Sequence, residues 1–273
     1  MKNKNNIFFP KTHIKEINND CLLERRVELN DQIGTIRYIG PLKHKSDEDV
    51  WVGIEWDDIT RGKHDGMVED YRYFETKANS KSGSLIKLAK VNFGIDFNEA
   101  LKFKYILNLF ENDMYVQANN KRINIEFVGK TKADEKFSKL DNIERIDLSF
   151  SYVSSINSIE NNLPRLREIF LEKTLFYKWS QFLKLFVGNV ESINFTDNQL
   201  IFDEGYEKCF NLNHNVKNLV LNKCRINFST IYQLSPIFKN VDNLYLYDNN
   251  LNDDDLKRNE LDESKIAELQ ENL

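Results

Sequence analysis

The stretch that decides the fold runs from Trp51 to Gly66 and reads WVGIEWDDITRGKHDG. Its first six residues are rich in aromatic and β-branched side chains, a composition that predicts a β-strand. Its last five residues, Gly62 to Gly66, place two glycines around three polar residues. This pattern predicts a sharp loop, because glycine adopts backbone conformations that other residues avoid.

The distribution of glycine divides the chain into two regions. Seven of the ten glycines lie between residues 34 and 94, and the other 212 residues hold three. Further β-prone runs flank the quoted stretch, at Arg26–Leu29, Gly34–Ile39, Tyr73–Phe74 and Ser84–Lys87. Short strands between turn residues predict a small, strongly bent antiparallel β-barrel, and its core is expected to contain Ile36, Ile54 and Trp56.

These runs resemble, in this order, a CAP-Gly domain. The family's signature loop is usually Gly-Lys-Asn-Asp-Gly, and here it reads Gly62-Lys63-His64-Asp65-Gly66. The histidine variant, followed by KVNFGIDF at residues 90–97, is similar to the tubulin-folding cofactor E family. The resemblance implies a domain that binds extended acidic peptides ending in an aromatic residue, such as the C-terminus of α-tubulin.

The same resemblance implies one peptide-binding site. Lys63 would meet the ligand's carboxylates, while Trp51 and Phe74 would take its terminal aromatic ring. Backbone amides freed by glycine would approach the terminal carboxylate. His64 and Asp65 are expected to shape the loop, and Lys87 is either part of the site or an ordinary solvated lysine. The candidate peptide-binding residues are Trp51, Gly62, Lys63, His64, Asp65, Gly66, Phe74 and Lys87.

One loop departs from the family pattern. Members often carry a glycine two residues before the first tryptophan and an aromatic residue in the preceding loop. Here the loop Lys43–Val50 reads KHKSDEDV, so it is charged, lacks an aromatic residue and has Asp49 at the glycine position. The wall of the peptide groove is therefore expected to differ from that of other members.

The second half of the chain repeats with a regular period. Apolar residues recur in the pattern apolar-x-x-apolar-x-apolar, starting at Ile143, Leu166, Val190, Val216 and Val241, with offsets of 23, 24, 26 and 25 residues. This period is typical of leucine-rich repeats and predicts an α/β solenoid with one strand of a parallel sheet per repeat. A turn residue after each strand, such as Asn198, Cys224 or Asn249, is expected to cap backbone groups inside the stack.

Helical spacing on the convex side of the repeats is predicted for residues 154–163, 178–186 and 229–238. The strand positions that face solvent carry mixed polar and aromatic side chains. They form either a surface for a protein partner or an ordinary solvated sheet face. Asp96 and Glu99 have the spacing of a capping box, which predicts a short helix near residues 97–109. Residues 111–121 are expected to form a loop, and Ile123–Phe127 alternates like an isolated strand that could cap the repeats.

The chain is therefore divided into five predicted regions: an N-terminal extension (1–21), the CAP-Gly domain (22–94), a linker with a short helix (95–122), leucine-rich repeats (123–251) and an acidic C-terminal tail (252–273).

Composition and motifs exclude several classes of function. With a net charge of -5 and no strongly basic segment, the chain is not expected to bind nucleic acid, and the lack of a run of 18 apolar residues argues against a membrane span. Three scattered cysteines are too few for a disulfide framework or a zinc site, which favours a reducing cytosol. No phosphate loop or catalytic triad motif is present, so no enzyme activity, cofactor or metal is expected.

The order of domains resembles that of the tubulin-folding cofactor E family, and this resemblance implies a cytoplasmic, cytoskeleton-associated chaperone. Such a protein would bind the C-terminal tail and the body of α-tubulin and assemble with other tubulin-folding cofactors. The family's usual C-terminal ubiquitin-like domain is not found in these 273 residues. The alternative is a microtubule-associated CAP-Gly adaptor that recruits a protein partner through its repeats. The chaperone is favoured, because dimeric adaptors commonly carry long heptad runs and this sequence has none.

Overall fold

The fold is taken from a computed structural model of the whole chain. The residues that it describes are 11, 22–43, 45, 49–77, 80–107, 115–118, 121–124, 140–159, 163–210, 214–249 and 251. The tail 252–273 and nearly all of the N-terminal extension lie outside them, so the predictions for these two regions are not addressed by the structure.

The glycine-rich region forms a four-stranded antiparallel sheet with the order β1-β2-β3-β6. Its strands are β1 (Arg26–Leu29), β2 (Gln32–Gly40), β3 (Trp51–Trp56) and β6 (Gly83–Lys87). A two-stranded hairpin, β4 (Met67–Val68) with β5 (Tyr71–Arg72), is inserted between β3 and β6. The predicted strand at Tyr73–Phe74 is wrong, because pairing in the hairpin ends at Arg72 and the two residues after it belong to no strand.

The core of this sheet contains the residues that the alternating pattern placed inside. Ile36 and Ile54 are fully buried and Trp56 nearly so, in one cluster with Val27 and Phe93. Among the described residues no ladder joins β1 to β6, so the sheet is open rather than a closed barrel. A bridge between Glu28 and Asn92 instead continues the sheet on the outer side of β1.

The linker begins with strand β7 (Ile95–Asp96) and helix α1 (Phe97–Lys102). The predicted capping box is confirmed: the Asp96 side chain accepts from the backbone of the first turn, and Glu99 reaches back to the Asp96 amide. The helix is shorter than predicted, because the backbone continues from Phe103 to Leu107 as a π-helical turn.

The loop predicted for residues 111–121 is wrong over its described part, because two antiparallel strands are found there. They are β8 (Tyr115–Ala118) and β9 (Lys121–Asn124), which pair with each other. Ile123 therefore lies in a strand, as its alternation predicts, but within the described residues this strand pairs with β8 and not with the repeats. Ile125 and Phe127 lie outside the described residues.

The repeats form a five-stranded parallel sheet whose strands follow one another in sequence order. Each strand holds the central apolar residue of one predicted repeat, and each pairs with the next in register. The strands are β10 (Arg145–Asp147), β12 (Glu168–Phe170), β13 (Ser192–Asn194), β14 (Asn218–Val220) and β15 (Asn243–Tyr245). The sheet confirms the strand positions, and its assignment to a leucine-rich-repeat solenoid stays a prediction.

Buried polar side chains after the strands stack between the repeats, as predicted. Asn198 donates to the carbonyls of Leu171 and Phe195 and accepts from the Thr174 amide at 2.8 Å. Asn249 makes the same kind of contacts in the last described repeat. These bonds satisfy backbone groups that no strand or helix pairs, which is why a small hydrogen-bonding residue occupies the slot.

Two of the three predicted convex helices are present. They are α2 (Trp179–Phe182), extended by a 3-10 turn to Leu185, and α3 (Phe228–Phe238), capped by Asn227. The helix predicted for residues 154–163 is wrong over its described part, because β11 (Val153–Ser155) pairs with β7 instead. Across the described residues, no helix has the length and apolar character needed to cross a bilayer.

Several contacts join the linker that follows the glycine-rich region to the repeats. Strand β7 pairs with β11, and Phe97, Ala100 and Leu101 of α1 lie in the hydrophobic core of the repeats. The linker helix therefore packs into the core of the repeats, where its buried residues share a cluster with Ile146 and Leu148. The predicted domain boundaries themselves stay predictions.

Candidate functional site

The loop from Gly62 to Gly66 is held against the start of β6. The amides of Lys63 and His64 both donate to the Gly83 carbonyl, and the Gly83 amide donates to the His64 carbonyl at 2.8 Å. A Cβ at position 62 would lie 2.1 Å from the Lys81 carbonyl oxygen, so only glycine fits this close approach. Gly66 has φ +99° and a similarly close neighbour, the Phe74 carbonyl oxygen.

The side chains of His64 and Asp65 are hydrogen-bonded to backbone groups of the loop and its end. His64 Nδ1 accepts from the Gly66 amide at 3.0 Å, which identifies the neutral tautomer with its proton on Nε2. Burial lowers the pKa of His64 and favours this neutral form. Asp65 accepts from the Met67 amide and pairs with Arg72 at 3.0 Å, and the hydrogen bond from Arg72 lowers the pKa of Asp65.

The amides of this loop are already bonded within the protein. Those of Lys63 and His64 donate to Gly83, and those of Gly66 and Met67 donate to the side chains of His64 and Asp65. The expectation that glycine frees loop amides for a ligand's terminal carboxylate is therefore wrong for these four groups. A ligand carboxylate at this loop would therefore need donors other than these four amides.

Lys63 is the side chain that the loop presents to solvent. It is exposed, and no carboxylate of the described residues lies within ion-pair distance of its ammonium group. The two residues after it are tied into the loop by the contacts above. The role of Lys63 toward a carboxylate ligand stays a prediction.

The two predicted groove aromatics lie on one face of β3. Trp51 and Gly53 share this face, because alternate residues of a strand point to the same side. The Phe74 ring lies over Gly53, where a Cβ would come within 2.5 Å of it, and its edge meets the His64 ring at 5.9 Å between centroids. Positions far apart in sequence are thus brought together.

Both rings are more covered than a flat open slot would require. Trp51 is 8% exposed and Phe74 is 7% exposed. Lys45 and Lys87 lie over the Trp51 ring, with ammonium groups 4.0 and 5.6 Å from its centroid. These flexible lysine side chains form a cationic cover that the sequence did not reveal, although the charged loop Lys43–Val50 was the signal for it.

A second group of aromatic residues was missed by the sequence analysis. Tyr73 stacks edge-on with Tyr38 at 5.1 Å and with Tyr71 at 4.7 Å, and the Lys43 ammonium lies 4.8 Å from the Tyr71 ring. Tyr71 and Tyr73 occupy alternate positions at the end of the hairpin, which is the pattern that could have predicted a shared face.

The outer face of the parallel sheet has the predicted alternation. The middle residue of each of the first four strands is buried and its two neighbours are partly or fully exposed. Phe170, Val220 and Tyr245 lie in one row across this face, because their strands pair in register. Nearby, Arg145 and Glu168 form an ion pair across two neighbouring strands.

The described residues offer no site for a metal. No three His, Cys, Asp or Glu side chains among them converge so as to hold an ion. Cys224, which the sequence assigned a structural role, is buried, and burial raises the pKa of its thiol to about 12. A buried thiol with a raised pKa stays protonated at neutral pH, which fits a structural role.

Comparison with known proteins first gives the class of the N-terminal region. Residues 23–91 match the family model of the CAP-Gly domain. The chain therefore carries a CAP-Gly domain, and the loop and groove described above lie within it.

The relatives of the whole chain are tubulin-specific chaperones. It is 29% identical to tubulin-specific chaperone E of Mus musculus over 258 residues, or 92% of this chain and 49% of the relative. The Homo sapiens protein of the same name is also 29% identical, and that of Dictyostelium discoideum is 31% identical over 83% of this chain and 46% of its own length. The resemblance predicted from the sequence is confirmed. The chain spans about half the length of these relatives.

Two solved structures show partial likeness. The Bik1 CAP-Gly domain with an ETF peptide from Bim1 is 26% identical with a TM-score of 0.23, covering 26% of this chain and 82% of that one. The Drosophila melanogaster SNF/U2A' complex is 20% identical with a TM-score of 0.32, covering 58% of this chain and 92% of that one.

Proposed function

We propose that this chain acts as a tubulin-folding cofactor that binds α-tubulin. The observation that carries the proposal is the similarity to tubulin-specific chaperone E, which extends over 92% of the chain and so includes the CAP-Gly domain and the repeats together. In this function the chain holds its partner by non-covalent contacts and performs no catalysis. Its place of action is the cytoplasm, in association with the cytoskeleton.

The CAP-Gly domain reads the acidic-aromatic C-terminus of α-tubulin in this proposal. Lys63 supplies an exposed ammonium group to the ligand's carboxylates, and charge-assisted hydrogen bonds of this kind are among the strongest available to a protein. Trp51 and Phe74 form the apolar wall for the terminal aromatic ring. The ring reaches Trp51 when the Lys45 side chain moves aside. Gly62, His64, Asp65 and Gly66 keep the loop in the shape that presents Lys63.

The repeats serve as the scaffold for the body of α-tubulin and for other tubulin-folding cofactors. We assign the parallel sheet to a leucine-rich-repeat solenoid, because its strands recur with the predicted period and Asn198 and Asn249 hydrogen-bond to backbone groups of successive repeats. Its outer row of Phe170, Val220 and Tyr245 supplies apolar contacts between polar neighbours, which suits a protein partner.

The test is binding of peptides from the α-tubulin C-terminus, with and without the terminal aromatic residue, measured by calorimetry on the full chain. Replacing Lys63 by glutamine is expected to weaken binding about tenfold, because a charge-assisted contact is lost. The matched control is Lys90→Gln, which removes an exposed lysine of the same domain away from the loop and is expected to bind like the parent protein. Equal affinity of Lys63→Gln and parent protein at physiological salt would contradict the assigned groove.

A second measurement separates the chaperone from the microtubule adaptor. We expect the chain to form complexes with unassembled tubulin and the folding cofactors, and to stay in the supernatant when assembled microtubules are sedimented. Retention on the microtubule pellet would favour the adaptor.

A further inference from the structure

The Asp49 carboxylate stands at the rim of the proposed groove. It forms an ion pair with the ammonium group of Lys87, and both side chains are partly exposed, 45% for Asp49 and 38% for Lys87. Lys87 faces Trp51 directly across the β3–β6 ladder, and its ammonium group lies over the Trp51 ring. The carboxylate is thus attached to one of the two lysines that cover the groove aromatic.

The two candidate cations of the site are therefore in different states. Lys63 is exposed and has no carboxylate partner among the described residues, whereas Lys87 is already paired within the protein. A peptide with a single acidic side chain can place it on Lys63 and leave the Asp49–Lys87 pair intact. A ligand that also uses Lys87 must first displace Asp49.

We propose that Asp49 is a built-in competitor for the acidic residues of the peptide, and so a specificity-determining residue of the groove. The inference rests on the proposed function, because it assumes that the groove takes an acidic peptide with a terminal aromatic residue. By occupying Lys87, Asp49 lowers the affinity for peptides with two adjacent acidic side chains before the terminal aromatic residue and leaves that for peptides with one acidic side chain nearly unchanged. Position 49 thus sets how strongly the groove responds to the number of acidic residues in the ligand.

The test compares two synthetic peptides that end in Glu-Glu-Tyr and Gln-Glu-Tyr, titrated into the full chain and its Asp49→Asn variant. We expect Asp49→Asn to bind the diacidic peptide about two- to fivefold more tightly, the range set by an exposed ion pair. The same variant should bind the monoacidic peptide like the parent protein.

Two control variants isolate the ion pair. Asp70→Asn removes an equal charge from an exposed turn of the same domain, and it should leave both affinities unchanged. In a Lys87→Met background, Asp49→Asn should have no further effect, because the competitor has lost its target.

The outcomes separate the inference from the function on which it rests. If Lys63→Gln weakens peptide binding but Asp49→Asn equals the parent protein, or if Asp70→Asn gives the same gain, the competitor role is overturned and the proposed function stands. If none of these proteins binds either peptide, both are overturned.

Discussion

At the scale of single residues, Gly66 shows how backbone conformation and close packing act together. Its φ of +99° lies outside the range of ordinary side chains, and a Cβ would come within 2.1 Å of the Phe74 carbonyl oxygen. Only glycine at this position therefore permits the shape of the loop. The same carbonyl belongs to one of the two predicted groove aromatics, so the loop and Phe74 lie against each other at this position.

We predict that Gly66→Ala lowers the free energy of unfolding by about 3 kcal/mol or more, because the new methyl group meets backbone and cannot move away. Gly188→Ala is the matched control. It also has positive φ, at +55°, but nothing lies within 4 Å of its Cβ position. Its cost is expected to be about 1 kcal/mol, that of a left-handed conformation alone. Urea denaturation measures both values, and equal losses would refute the steric explanation.

Two partly or fully buried histidines are expected to make the stability of the fold depend on pH. Burial lowers the pKa of His64 and of His214 below the ordinary value of 6.5. The unfolded chain then binds more protons than the folded one as the pH falls below 6.5. Stability is consequently full above this pH and declines as the pH falls from it toward the folded pKa values.

Urea denaturation between about pH 5 and pH 8 checks this expectation. His64→Asn should reduce the slope, since asparagine can still accept from the Gly66 amide but does not titrate. A slope that is unchanged in His64→Asn and in His214→Gln would show that other groups control it.

At the scale of elements, neighbouring repeats are linked by one polar side chain per repeat, which lies in the turn after the strand. Asn198 bonds to backbone groups of two successive repeats, and Cys224 occupies the same slot in the next one with its Sγ toward the Phe195 carbonyl. Each repeat is thereby tied to its neighbour through polar contacts as well as through the apolar core. Loss of one such side chain leaves several buried groups unsatisfied.

We predict that Asn198→Ala lowers the free energy of unfolding by about 3 kcal/mol. Asn243→Ala is the control, because this exposed asparagine makes one side-chain contact, to Asn218. Its loss should cost less than about 0.5 kcal/mol. Similar values for the two variants in chemical denaturation would contradict the role of the buried slot.

At the scale of the whole molecule, a buried ion pair lies where the CAP-Gly domain meets the repeats. Arg26 is almost fully buried and bonds to both carboxylate oxygens of Asp57, while Gln199 of the repeats donates to the same carboxylate at 3.3 Å. A cleft of about 480 Å³ opens beside this junction between Lys77 and Arg225. Asp57 therefore connects the domain that carries the proposed groove to the repeats.

Removing the Asp57 charge should weaken this junction. Asp57→Asn is expected to lower the free energy of unfolding by about 2 kcal/mol, because buried Arg26 loses its counter-charge. The loss is smaller than for a fully buried pair, because solvent reaches Asp57 and screens the interaction. Gln199→Ala should cost less than about 1 kcal/mol, since it removes one long hydrogen bond.

A double-mutant cycle in urea tests whether the two regions unfold together. A non-zero coupling between Asp57 and Gln199 in a single transition is the expected result. Two separate transitions would show that the junction does not couple them.

The sequence by itself determined the local architecture. Alternating apolar residues placed β1, β3 and β6, the repeat period placed the strands of the parallel sheet, and the glycines marked the loop around Lys63. These features follow from neighbouring residues, because strand alternation, turn conformation and repeat period are local properties of the chain.

Tertiary structure decided the contacts between distant segments. Strand β11 pairs with β7 where the sequence predicted the start of a helix, and the Asp49–Lys87 ion pair lies at the rim of the proposed groove. The amides of Lys63 and His64 donate to a carbonyl within the protein. None of these could be read from the chain, because many pairings of distant residues satisfy the same local pattern. Packing selects among them by burying apolar surface while leaving few polar groups without a partner.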